Sequence, residues 1–194
     1  MPIPTATNGA ETPAVPYGPT VGWYRRYLGA LRRGEPEAQA VAAANGATGM
    51  RGKAFSRLIV ADAQGASMLS LPVEGSARVI KTLPPRLWRL SAHGDWPRTH
   101  PATLSTLLGR FPFHDHLMPP LLAIYAGKPE SLTEFTAAIH RLVCDTLGLD
   151  ALAGAELTPE AARTANEWRR RMADGETLLP LLFRHGPDLL FALL

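Results

Sequence analysis

The chain has 194 residues, of which 46% are hydrophobic and 19% are charged, and its formal net charge is +3. This composition excludes a collagen, a coiled coil and a wholly disordered chain, and the length favours a single domain. No apolar run reaches the roughly 20 residues of a membrane helix. The first 19 residues lack a signal-peptide pattern, and the single Cys144 cannot form an intrachain disulfide. We therefore expect a cytoplasmic protein without a membrane span.

Most of the basic residues are arginines, whose planar guanidinium groups suit carboxylates and phosphates. They occur in scattered pairs and in one triplet, at 169–171. Nucleic-acid binders gather such residues on one face. The arginines therefore either serve an anionic ligand or reflect the base composition of the gene, and no nucleic-acid partner is expected.

The N-terminal half alternates proline-rich, helical and strand-like segments. Residues 1–15 read as a flexible segment, and apolar positions at helical spacing predict a short helix over 21–31. Residues 38–49 predict a weak strand followed by a loop. Alternating apolar residues on either side of a turn predict a hairpin over 55–73. Another short strand is expected at 78–81.

The C-terminal half is predicted to be helical. A helix begins near Asp95, a second follows the capping pattern of Ser131 and Glu134 and ends at Gly148, and a third begins at Thr158. Residues 177–194 form short apolar turns that seal the core. The fold class is therefore α+β, with N-terminal strands and a hairpin packed on a helical C-terminal half.

Two groups of histidines invite a chemical interpretation. His114 and His116 would face the same way in an extended segment and could share a metal, but we expect them to be polar loop histidines, because no other metal-ligand pair supports a site. His100 lies four residues after Trp96 on the apolar stripe of its helix, so it should face inward. It is either a core histidine or a general acid or base with a shifted pKa.

Lys53 and Arg57 are four residues apart, just before and within the first hairpin strand. Even spacing would place them on one strand face, where they either bind a phosphate or carboxylate or form ordinary surface charge. Cys144 lies on an apolar helix and is expected to be a small buried residue. The sequence contains no serine-nucleophile elbow and no glycine-rich phosphate loop.

The order of several short motifs resembles the WbqC-like family, in particular its shorter form common in Bacteroidetes. The motifs are Pro16-Tyr-Gly-Pro-Thr-Val-Gly-Trp-Tyr24, Arg51-Gly-Lys-Ala-Phe-Ser-Arg57, Leu69-Ser-Leu-Pro-Val73, Trp96-Pro-Arg-Thr-His100 with Phe111-Pro-Phe113, the helix ending in Leu147-Gly-Leu149, and Leu179-Pro-Leu-Leu-Phe-Arg-His-Gly-Pro-Asp-Leu-Leu190. They span about 175 residues, so we expect residues 16–194 to form one WbqC-like domain.

The resemblance implies a role in surface-polysaccharide (O-antigen-type) biosynthesis, with transfer of glycine or another aminoacyl or acyl group to a sugar. Matching positions imply His100 as the catalytic base, with Lys53, Arg57, Trp96 and Tyr17 binding substrate. The chain departs from the family pattern before Lys53, where 45–50 lack the usual acidic or Asn/Gln-Tyr residues, and at 173–176, where an aromatic run is missing. No cofactor or metal ligand set is specified.

Two hypotheses follow. The first is an acyl or aminoacyl transferase, in which Lys53 and Arg57 hold an anionic donor. The second is a non-catalytic binding or assembly protein of the same pathway, whose apolar residues 189–194 contact a partner or a second copy.

Overall fold

The computed structural model describes residues 13–62, 65–152 and 156–194. A two-stranded antiparallel hairpin is inserted among helices, which confirms the α+β class. In chain order the elements are α1 (Val21–Arg32), α2 (Glu37–Ala47), β1 (Arg57–Asp62), β2 (Gly65–Ser70), α3 (Ala77–Thr82), α4 (Trp96–Leu108), α5 (His114–Ala126), α6 (Leu132–Leu147), α7 (Leu149–Leu152), α8 (Pro159–Arg171), α9 (Leu178–His185) and α10 (Leu190–Leu193).

The hairpin confirms the strand prediction but is shorter than expected. β1 pairs with β2 from Arg57 opposite Ser70 to Asp62 opposite Gly65. Leu58 and Val60 face the core, whereas Ile59 between them is 49% exposed. This alternation gives the hairpin one buried and one outward face.

Two predicted strands are wrong. Residues 38–49 lie mostly in α2, because an alanine-rich stretch after Pro36 favours a helix even without a clear apolar period. Residues 78–81 lie in α3, where the Ile80 amide donates to the Ser76 carbonyl oxygen. The β-branched pair at 79–80 has no partner strand there, so local helical bonds prevail.

The helical predictions of the C-terminal half are confirmed. The Ser131 hydroxyl accepts a hydrogen bond from the Glu134 amide at 3.1 Å, and Thr158 caps α8 in the same way. Gly148 ends α6 with a left-handed φ of 63°. These caps satisfy amides and carbonyls that helix ends would otherwise leave unpaired.

Both ends of the described part of the chain are buried. Ala14 and Val15, assigned to the flexible N-terminal segment, are 4% and 6% exposed, while residues 1–12 lie outside the described part of the chain. Leu189 and Leu193 are 0% and 2% exposed, because the C-terminal residues pack on α1 and α8. The tail thus docks on the protein's own core, as expected for residues 177–194.

The helices that matter for the site lie side by side. α5 packs between α4 and α6, and α1 packs against α2 and α10. The segment before α4 is fixed by isolated bridges, Leu90 pairing with Val73 and Arg89 with Ser131. No helix in the described ranges is both long and apolar enough to cross a bilayer.

Candidate functional site

The inward stripe of α4 carries the first candidate residues. Trp96 and His100 are 7% and 8% exposed, and Leu104 and Leu108 are fully buried. This confirms that His100 faces inward. The Trp96 and His100 rings lie 5.9 Å apart at their centroids, so the two side chains form one packed unit.

His100 lies at the end of a hydrogen-bonded chain that contains two tyrosines. The Tyr17 hydroxyl lies 3.3 Å from Nδ1 of His100, and the same hydroxyl is hydrogen-bonded to the Tyr125 hydroxyl. Burial raises the pKa values of Tyr17 and Tyr125 and lowers the pKa of His100. All three groups are therefore neutral near pH 7, and the imidazole is able to accept a proton.

Phe135 of α6 holds these rings together. Its centroid lies 5.0 Å from that of Tyr125, 5.4 Å from that of Trp96 and 5.7 Å from that of Tyr17. We call these five residues (Tyr17, Trp96, His100, Tyr125 and Phe135) the His100 cluster. Edge-to-face and tilted aromatic contacts of this kind fix the orientation of each ring.

A cleft of about 950 Å³ lies against one side of this cluster. Trp96 and Tyr125 form part of its wall, whereas Tyr17, His100 and Phe135 lie behind that wall. We call it the Trp96 cleft. The apolar residues that line it are Leu90, Ala92, Trp96, Pro97, Pro101, Ala102, Leu122, Tyr125, Ala126 and Pro129.

The position of the indole in the wall is fixed by the preceding loop. Nε1 of Trp96 donates to the Ser91 carbonyl oxygen at 3.1 Å. The Ser91 amide in turn donates to the Pro72 carbonyl oxygen at 2.8 Å. The ring is thus held in place before any ligand arrives, which lowers the entropic cost of binding.

Charged side chains surround the cleft. Arg89 contacts Glu130 at 3.0 Å and Glu74 at 3.6 Å, and Arg98 pairs with Asp95. Lys128 also lines the cleft and makes no ion pair with any residue in the described ranges. The cleft therefore combines an apolar wall with carboxylates that accept hydrogen bonds and one ammonium group that is not neutralised.

The predicted site residues fall into two groups. Tyr17, Trp96 and His100 come together, but only Trp96 lines the cleft. Lys53 and Arg57 are exposed and do not line the cleft. The expectation that they share one strand face is wrong, because Lys53 lies in the 3₁₀ turn Gly52–Ser56 and only Arg57 belongs to β1.

The histidine pair at 114 and 116 is not in an extended segment. α5 begins at His114, so the two side chains project from different faces of a helix. His114 contacts Asp115 at 3.0 Å and lies 3.4 Å from the Ser105 hydroxyl. Within the described ranges, no group of three or more His, Cys, Asp or Glu residues could hold a metal.

Sequence reasoning missed two buried polar side chains, Tyr125 and His140. Tyr125 follows Leu117 and Leu121 at intervals of four, so the period of α5 could have placed it inward. His140 lies between Thr136 and Cys144 on the buried side of α6 and could have been found in the same way.

His140 is the centre of a second buried group. Its Nδ1 lies 3.0 Å from the Tyr24 hydroxyl, and its Nε2 lies 3.5 Å from Sγ of Cys144. Trp23 and Tyr27 pack on the same ring, with centroids 5.7 and 4.8 Å away. We call Trp23, Tyr24, Tyr27, His140 and Cys144 the His140 cluster.

The pKa values in the His140 cluster argue against a catalytic thiol. Burial raises the pKa of Cys144 to about 12 and lowers the pKa of His140 to about 4. Both groups are neutral near pH 7, whereas a reactive cysteine requires the thiolate. Cys144 is buried as expected, and the cluster serves packing.

These features define an α+β protein in which aromatic residues of two neighbouring helices wall a ligand-sized cleft. The chain belongs to the WbqC-like protein family, whose profile matches residues 50–173. This range includes Lys53, Arg57, Trp96 and His100, whereas Tyr17 precedes it. The resemblance seen in the sequence motifs is thus confirmed. No curated protein and no solved structure matches the chain.

Proposed function

We propose that this protein acts in surface-polysaccharide (O-antigen-type) biosynthesis, in the cytoplasm, and that it binds a sugar-containing small molecule in the Trp96 cleft. The observation that carries the proposal is the cleft itself. Its volume of about 950 Å³ lies within the range of about 300–1,000 Å³ typical of small-molecule sites. The proposed role in polysaccharide biosynthesis rests on what family membership implies.

The chemistry of the cleft fits a sugar attached to an anionic group. An aromatic wall packs against the apolar face of a sugar ring, and the carboxylates of Glu74, Asp95 and Glu130 accept hydrogen bonds from its hydroxyls. The Lys128 ammonium supplies a positive charge for a phosphate or carboxylate. A nucleotide sugar combines these features.

Transfer of glycine or another aminoacyl or acyl group to the sugar is the second candidate function. It is favoured by the neutral imidazole of His100, which is competent to remove a proton from the acceptor amine or hydroxyl. The acceptor would then bond to the acyl carbon, and the donor's leaving group would depart with its electron pair. His100 lies behind the cleft wall, so this candidate requires the acceptor to reach past Trp96.

A thermal-shift panel of nucleotide sugars and amino acids tests the binding proposal. A ligand at 100 times its Kd stabilises the folded protein by about 2.7 kcal/mol. Ala102→Trp places an indole in the cleft from an exposed position of α4 and should abolish the shift. Thr99→Trp is the matched control, because Thr99 is exposed on the same helix and does not line the cleft.

The two candidate functions are separated by His100→Gln. If the protein is a transferase that uses His100 as the base, this variant binds the nucleotide sugar and loses turnover. If it is a binding protein, wild type binds the sugar and shows no turnover with any aminoacyl or acyl donor.

For the binding proposal itself, equal thermal shifts in Ala102→Trp and Thr99→Trp would refute the cleft as the binding site.

A further inference from the structure

A second concave surface lies between the outward face of the hairpin and α9. It has a volume of about 560 Å³, with Ile59 and Ala61 of β1 on one side and Leu181 and Arg184 of α9 on the other. Arg110, which follows α4, completes it. We call it the Arg184 groove. It shares no lining residue with the Trp96 cleft.

Two arginines of this groove approach the same aromatic ring. Cζ of Arg184 lies 4.9 Å and Cζ of Arg110 lies 5.7 Å from the centroid of Phe111. Cation–π contacts restrict both guanidinium groups to the neighbourhood of that ring. Since both arginines also line the groove, an anion bound there would be attracted by two positive charges.

Neither arginine is neutralised within the described part of the chain, where neither forms an ion pair. Glu176 also lines the groove and contributes one negative charge against the two positive charges of the arginines; one of its carboxylate oxygens accepts a hydrogen bond from the Ala173 amide at 2.7 Å. Arg57 projects from the same face of β1 as Ile59 and Ala61. The groove is therefore positively charged.

The hairpin side of the groove is apolar and open. Ile59 is 49% exposed, and Met68, directly opposite it in the strand register, is 55% exposed. Large apolar side chains left open beside unpaired arginines indicate a ligand with both an anionic group and an apolar part.

We propose that the Arg184 groove binds a phosphate ester, with the phosphate held by Arg110 and Arg184 and the organic group lying on Ile59. A phosphate monoester carries a charge of about −1.5 to −2 at pH 7 and has three acceptor oxygens. It therefore matches two guanidinium groups, each of which can donate two parallel hydrogen bonds. A carboxylate has half that charge and one oxygen fewer.

Phenyl phosphate is a suitable probe, because it joins a phosphate to an apolar ring. Calorimetric titration should show that it binds more tightly than inorganic phosphate or benzoate. Arg110→Gln/Arg184→Gln should weaken its binding by at least about tenfold, the loss expected for a single charge-assisted hydrogen bond. Ile59→Ser should bring the affinity for phenyl phosphate down to that for inorganic phosphate.

Arg26→Gln/Arg163→Gln is the matched control, because it removes two exposed arginines elsewhere and changes the net charge equally. It should bind phenyl phosphate like wild type, as should the cleft variant Ala102→Trp. All of these positions are exposed, so each variant should unfold near the wild-type temperature. Equal binding by the two double-arginine variants, or no binding of any phosphate by wild type, would overturn the proposal.

A vesicle-binding experiment distinguishes a lipid phosphate from a soluble phosphate ester. A lipid phosphate is identified if the protein binds vesicles that contain phosphatidic acid and does not bind vesicles of phosphatidylcholine alone. Arg110→Gln/Arg184→Gln should then lose the binding. Binding of phenyl phosphate without binding to either vesicle would identify a soluble phosphate ester.

Discussion

The two buried histidines have the same kind of partner and different surroundings. His100 and His140 each face a tyrosine hydroxyl through Nδ1, at 3.3 and 3.0 Å, and burial lowers the pKa of both. Trp96 and Tyr125 of the His100 cluster form part of the wall of a cleft of about 950 Å³. Tyr24 and His140 of the His140 cluster border a space of about 10 Å³, which has room for one water at most.

The difference shows that a buried histidine hydrogen-bonded to tyrosine is not in itself the mark of a functional site. Both clusters keep a neutral imidazole, and the His140 cluster even adds a thiol. Only the His100 cluster lies beside a space that can hold a ligand. The cleft, and not the chemistry of the buried side chains, distinguishes a candidate site from packing.

The largest effect we expect comes from replacing the tryptophan of each cluster by alanine. Trp23 is fully buried and donates to Asn45 at 2.9 Å, so Trp23→Ala should cost about 3–5 kcal/mol of the free energy of unfolding. Trp96→Ala should cost less, because one side of its ring faces the cleft. Urea denaturation of both variants measures the difference, and a larger loss for Trp96→Ala would contradict the comparison.

The pH dependence of stability should depend mainly on His140. Its pKa is lowered from 6.5 to about 4 in the folded protein, so between these values the unfolded chain binds a proton that the folded chain does not. The free energy of unfolding should therefore fall by about 3 kcal/mol as the pH falls from 6.5 to 4.

His140→Gln tests this assignment, since it removes the titrating group from the His140 cluster. Denaturation at a series of pH values should give a flatter profile over that window than wild type. A profile as steep as that of wild type would show that other groups cause the acid sensitivity.

A smaller effect is expected at Cys144. Because burial raises its pKa to about 12, iodoacetamide should alkylate it far more slowly in the native protein than in urea. Cys144→Ala should cost about 1 kcal/mol and leave ligand binding in the cleft unchanged. Rapid alkylation of the native protein, or loss of binding in the variant, would assign the His140 cluster a functional role.

Local signals were sufficient for much of the fold. The caps at Ser131 and Thr158, the stripe of α4 and the alternation in the hairpin depend on neighbouring residues, and all are present in the structure. α2 and α3 were mistaken for strands because their local patterns are weak or β-branched. Such local patterns do not show whether the tertiary structure places a partner strand nearby.

The candidate site was only partly predictable for the same reason. The inward direction of Trp96 and His100 follows from helical spacing alone. Tyr125 joins them from another helix, and Glu74, Lys128 and Glu130 come from loops that are distant in sequence. The grouping of Lys53 with Arg57 assumed extended backbone between them, whereas Gly52–Ser56 forms a 3₁₀ turn before β1.

Hydrogen–deuterium exchange with and without a stabilising nucleotide sugar tests the central claim most directly, because it shows where the ligand lies without any substitution. Our account predicts slower exchange in the segment 89–98 and around 126–130, which border the Trp96 cleft, and no change in α1 or in residues 139–147 of the His140 cluster. Protection confined to α1 and residues 139–147 would contradict it.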